Sequence, residues 1–152
     1  MKFRPINHLA VIILAICQVK LLLASALAPE ADHGQKTVPT SDGILGKNLI
    51  LEPLPGKTGE PAALIFLVGA YCQQEQYVSH LKSIQQKVPF PLWVGIPHIV
   101  GDLPIPVGIG LYVDSVKSEL QNKHGFKADK YFFGGHSLGG SSIGSWAHSN
   151  IE

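Results

Sequence analysis

Uninterrupted apolar runs alternate along this chain with segments whose apolar residues recur at helical spacing. From Ala62 to Val68 it reads Ala-Ala-Leu-Ile-Phe-Leu-Val, closed by Gly69. A run with no polar alternation predicts a strand covered on both faces, as in a parallel sheet. Glu75 to Val88 then sets Tyr77, Val78, Leu81, Ile84 and Val88 on one face of a helix. Pro91 to Ile96 is the next buried strand, Leu111 to Lys123 the next helix with Leu111, Val113, Val116 and Leu120 as its apolar set, and Tyr131 to Phe133 a third strand. Small residues from Gly140 to Ala147, with Ile143 and Ala147 one turn apart, continue as a helix. Ahead of these, Leu49-Ile50-Leu51 predicts a short strand that Pro53 and Pro55 end. The succession β-α-β-α-β-α predicts an α/β fold: a mainly parallel sheet, wound by right-handed crossovers, with helices on both sides.

The amino terminus follows a different pattern. Lys2 and Arg4 precede a continuous apolar run from Leu9 to Cys17, and Ala24-Ser25-Ala26 offers a small-x-small cleavage site. Cleavage after Ala26 avoids placing Pro29 directly behind the scissile bond, as a cut after Ala28 would. Residues 1–26 are therefore expected to be a secretory signal, which makes the protein secreted; the alternative is a membrane anchor, which Gln18 and Lys20 within the stretch disfavour. Residues 27–46, polar and rich in Gly and Pro, are expected to be a flexible lead-in to a domain over 47–152.

Composition narrows the classes of function. The chain of 152 residues is 45% hydrophobic and 15% charged, as a globular protein is. Its net charge is +1, and beyond residue 28 nine basic residues face eleven acidic ones, so no nucleic-acid partner is expected. Gly56-Lys57-Thr58 ends like a phosphate-binding loop, yet Leu51 stands where that motif needs its first glycine and Pro61 interrupts the helix that should follow. Nucleotide binding is excluded there. Once Cys17 leaves with the signal, Cys72 is the sole cysteine, and its expected role is that of a small hydrophobe beside the core.

Chemistry concentrates at Gly134-Gly135-His136-Ser137-Leu138-Gly139-Gly140, directly after the third strand. A Gly-x-Ser-x-Gly between strand and helix is a nucleophile elbow. A serine at so tight a corner holds strained backbone angles, and the chain two residues to either side passes too close for a Cβ, so Gly135 and Gly139 are required. The turn presents the Ser137 hydroxyl above the sheet edge and aims the Leu138 N–H at the place where a carbonyl oxygen becomes negative during acyl transfer.

From Ala62 to Asn150 the chain resembles the first half of an α/β-hydrolase catalytic domain, Gly-His-Ser-Leu-Gly-Gly being an elbow common among its lipases and esterases. The resemblance implies a Ser137 acyl-enzyme acting on small-molecule carboxylic esters, lipid esters among them. It also implies a second oxyanion donor in the loop after the first long strand, at Ala70 or Tyr71, where the family often has His-Gly and this chain has Val68-Gly69. No cofactor and no metal are implied, and membrane contact is expected only if the signal is uncleaved.

A serine hydroxyl needs a histidine base held by a carboxylate. Such families place the acid and then the histidine after the serine, whereas Asp102, Asp114 and Asp129 all precede it, and His136 inside the elbow should point away from Ser137. The domain over 47–152 is thus expected to be an incomplete α/β-hydrolase domain, truncated after the elbow helix and inactive in this form. The alternative is a non-catalytic binding module that keeps the elbow as a relic. Between the second strand and its helix, Pro97 to Gly110 is an apolar loop that walls a pocket beside Ser137 or covers the core.

Overall fold

The computed structural model describes residues 38–39 and 46–150. The signal segment expected over 1–26 lies outside them, as does most of the lead-in. Five strands and three helices follow in the order β1 (Val38–Pro39), β2 (Leu49–Leu51), β3 (Ala62–Leu67), α1 (Val78–Lys87), β4 (Leu92–Ile96), α2 (Ile109–Asn122), β5 (Tyr131–Gly135) and α3 (Ser137–Asn150). Single turns of 3-10 helix at Gln74–Tyr77 and Val100–Asp102 precede α1 and α2.

The strands form one sheet in the order β1-β2-β4-β3-β5. β3 pairs in parallel with β4 and β5, whereas β2 runs antiparallel to β4 and β1 antiparallel to β2. The sheet is therefore mixed rather than mainly parallel. A three-residue strand with prolines behind it carries no periodicity from which a direction could be read, and the apolar-run argument applied only to β3, β4 and β5. Val38, Pro39 and Gly46 of the lead-in are described. Val38–Pro39 pairs with Ile50 and Leu49, and Pro39, which has no N–H to donate, takes an edge position.

Side-chain alternation shows that both faces carry helices. Phe66 meets the ring of Tyr77, just ahead of α1, at 5.3 Å. On the opposite face Phe133 meets Trp146 of α3 at 5.3 Å, and Lys117 of α2 lies 4.9 Å from the Tyr131 ring. Moving from β3 to β4 and then back past β3 to β5 reverses direction, so two right-handed crossovers place α1 and α2 on opposite faces. The core between them includes Leu51, Ile65, Leu67, Leu81, Ile96 and Leu120, all essentially inaccessible.

Two helix faces differ from the sequence reading. On α1, Ile84 is exposed and Gln85 is buried, because the Gln85 amide donates to the carbonyls of Glu52 at 2.9 Å and Leu92 at 2.7 Å and so closes the ends of β2 and β4. On α2, which begins two residues earlier than expected, Ile109 takes the buried place and Leu111 is 64% exposed. Glu119 is buried in the same helix, accepting from Asn48 Nδ2 at 2.7 Å; Asn48 also reaches Ser115 Oγ at 3.0 Å. That pair fastens the start of β2 to α2.

Candidate active site

Because β3, β4 and β5 are parallel, the connections leaving all three emerge at one edge of the sheet. The β5–α3 corner lies there. β5 ends at Gly135, His136 makes the bend, and α3 begins at Ser137, whose φ is +51°. An L-residue with a side chain reaches this left-handed region only against steric resistance. Three described residues other than glycine share a positive φ: Ser137, Tyr71 at +58° and Asp102 at +53°. All three stand at this edge, and the Tyr71 N–H donates to the Asp102 carbonyl at 2.6 Å.

The glycines around the corner leave no room for substitution. A Cβ on Gly135 would lie 2.7 Å from the backbone of Gly139 and Gly140, and one on Gly139 would lie 2.6 Å from the Leu67 carbonyl oxygen and in collision with that of Val68. Gly140, which the sequence reading did not single out, is equally confined, 2.8 Å from the Gly135 oxygen. The first turn of α3 thus rests directly on the ends of β5 and β3. His136 N–H donates to Leu67 at 3.0 Å and Gly140 N–H to His136 at 3.2 Å, which closes the turn.

Ser137 is exposed, and its hydroxyl makes no hydrogen bond to another described residue. The first N–H groups of a helix have no intrahelical acceptor, and that of Leu138 is one of them. In the loop after β3, the Tyr71 N–H is already held by Asp102, whereas that of Ala70 has no partner among the described residues. Of the two expected loop donors, Ala70 is the one left open.

The His136 ring turns to Tyr77, not to Ser137. Tyr77 Oη lies 2.9 Å from His136 Nδ1 and accepts from the Gly69 N–H at 3.3 Å. Gly69 has its own reason to lack a side chain: a Cβ there would lie 2.7 Å from His136 Nδ1. Burial, then a hydrogen bond with Cys72, pushes the Tyr77 hydroxyl up to about 12, while the Gly69 N–H acts in the opposite sense. Sequence reasoning placed Tyr77 only on the apolar face of a helix. Its hydroxyl, a polar handle on an otherwise buried ring, was the available signal. Cys72, also beside this group, is free and half-buried.

No described histidine or carboxylate is bonded to Ser137. His98 packs against Gly46, His124 faces Glu52 at 3.8 Å and the Trp93 ring, and Asp102 accepts from Gln73 Nε2 at 3.0 Å. His148 is exposed on α3, and Asp114 and Asp129 are exposed on α2 and ahead of β5. The described residues contain no cluster of metal-ligating side chains.

The apolar loop after β4 is partly core and partly surface. Pro97, Ile99 and Pro104 are buried, whereas Val100, Leu103, Ile105 and Val107 are exposed. Ser142 of α3 holds it by donating to the Pro104 carbonyl at 2.6 Å. Comparison with protein-family models, with curated proteins and with solved structures gave no match.

Proposed function

We propose that Ser137 is the nucleophile of a serine hydrolase acting on carboxylic esters, within a partial α/β-hydrolase fold. The observation that carries this reading is the exposed, unbonded serine at φ +51° on a corner whose glycines admit no Cβ. Backbone strain of this kind costs about 1–3 kcal/mol and persists where the surroundings over-determine it, which they do here through contacts to β3 and β5. A third strand followed by a loop with an open N–H at Ala70, and then by the first helix, supports the same reading.

In the reaction, Ser137 Oγ attacks the ester carbonyl carbon and the carbonyl π electrons move to oxygen. The Leu138 and Ala70 N–H groups stabilise that charge. Collapse of the tetrahedral intermediate expels the alcohol and leaves an acyl-serine, which water hydrolyses. The proton leaving Oγ needs a base, and its alignment an acid; both are to come from outside the described residues. Without them turnover falls by about 10⁴- to 10⁶-fold, so the described residues by themselves make a poor catalyst.

A fluorophosphonate probe tests the nucleophile on the chain as it stands. Labelling is expected to be slow, to rise when free imidazole is added as an external base, and to vanish in Ser137→Ala. Folded protein that shows no serine-dependent labelling, with or without imidazole, overturns the reading. The absence of a described base at Ser137 would then favour the second reading, a non-catalytic binding module in which the corner is a relic.

A further inference from the structure

The large apolar side chains that stay exposed are not scattered. Seven stand exposed among the described residues, and six of them, Tyr71, Val100, Leu103, Ile105, Val107 and Leu111, belong to one neighbourhood. Five lie within residues 100–111, after β4. Tyr71 joins them through its N–H bond to Asp102, and Ser142 fastens the loop to α3 at Pro104. This neighbourhood occupies the sheet edge at which Ser137 is exposed. The seventh, Ile84, lies in the second half of α1, which runs back toward the opposite edge.

Exposed apolar surface gathered in this way marks a contact site, and its chemistry indicates the partner. From Pro91 to Val116 the chain has no Lys or Arg. Within residues 97–111 its single charge is Asp102, whose carboxylate accepts from Gln73. Protein interfaces favour aromatic residues and arginine at their centres. Here the exposed groups are branched aliphatics on a loop stiffened by Pro104 and Pro106, with one tyrosine beside them. Aliphatic groups insert into acyl chains while tyrosine settles at the polar boundary, and exposed Lys47, ahead of β2 at the same edge, is a single cation outside the loop, too few to select anionic headgroups.

We propose that residues 100–111 and Tyr71 form a docking surface for an electrically neutral lipid–water interface, against which they bring the Ser137 corner. The proposal deepens the ester-hydrolase reading, on which it rests for its purpose, by naming a substrate held within a lipid surface. The binding itself does not require catalysis.

The test is sedimentation of the full chain with vesicles of phosphatidylcholine alone and with added phosphatidylglycerol. Binding to phosphatidylcholine is expected, changed by less than about twofold by anionic lipid or by salt. Val107→Asp with Leu111→Asp should lower partitioning by about tenfold or more, and Ile84→Asp should leave it unchanged. Val107→Trp should emit at shorter wavelength on binding and be quenched by brominated lipid. Four results overturn the proposal: no vesicle binding; binding that survives the double substitution and so resides elsewhere, as in the apolar run at 9–17; binding that requires anionic lipid; or self-association, abolished by the same substitutions, in place of vesicle binding. Ser137→Ala should bind vesicles as the native chain does. Loss of labelling with vesicle binding intact therefore removes the hydrolase reading alone, and the converse removes the docking surface alone.

Discussion

The Tyr77 hydroxyl stands 2.9 Å from Nδ1 of His136, so the turn ahead of α1 is tied to the residue immediately before Ser137. The same oxygen accepts the Gly69 N–H, which joins the loop after β3 to this link. One side chain thereby links the two segments that carry the proposed oxyanion donors.

Tyr77 Oη and His136 Nδ1 share one hydrogen bond, whose donor is set by the tautomer of the ring. Tyr77→Phe should shift the Nδ1 resonance of His136 in nitrogen-15 spectra toward that of an unbonded ring nitrogen. It should also destabilise the fold by about 1–2 kcal/mol, read from urea unfolding. An unchanged resonance would place the link elsewhere.

Alkaline pH should weaken the fold through the same group. Tyr77 holds its proton to about 12 in the folded chain, against 10.0 for an ordinary tyrosine. A raised value means that the unfolded chain releases the proton first, so the contribution is complete below about pH 10 and is lost as pH rises toward about 12. Tyr131, also raised by burial, acts in the same direction. Unfolding midpoints measured across this window should fall less steeply in Tyr77→Phe than in the native chain.

Two glycines of α3 should respond oppositely to alanine. Gly139→Ala drives a methyl into the Val68 and Leu67 carbonyls, which are backbone and cannot swing aside; a loss of about 3 kcal/mol or more, or failure to fold, is expected. A methyl group on Gly144 would meet nothing within 4 Å, and the backbone there is already helical. Gly144→Ala should stabilise by about 0.5–1 kcal/mol. Thermal melts of the two variants decide the matter.

Ser142→Ala should free the apolar loop. Its buried hydroxyl is 2.6 Å from the Pro104 carbonyl oxygen, and removing it leaves that acceptor without this donor. A cost of about 1–2 kcal/mol is expected, with faster proteolysis between residues 100 and 107 than in the native chain. Equal proteolysis would mean that Tyr71 and Asp102 hold the loop unaided.

The long strands and all three helices were legible because each carries several apolar residues in register with its own geometry. The close approach around Gly135 and Gly139 was legible for a similar reason, since a five-residue corner is a local object. Direction was not legible for β2, nor pairing for Val38–Pro39: segments of three and two residues contain no period. The burial of Gln85 and Glu119 was not legible either, because a polar side chain can be buried whenever a carbonyl or amide from another segment meets it. Those partners, Glu52, Leu92 and Asn48, lie 33, 7 and 71 residues away.

What the chain determined by itself was local: where strands and helices begin, and that a serine must sit on a strained turn between the last of them. The tertiary structure alone decided which groups surround that serine. It turned His136 to Tyr77, engaged the Tyr71 N–H with Asp102 while leaving that of Ala70 open, and gathered the exposed aliphatic residues at one edge. Backbone conformation depends on near neighbours in sequence, whereas a hydrogen bond or an exposed surface depends on which distant segments the sheet order brings side by side.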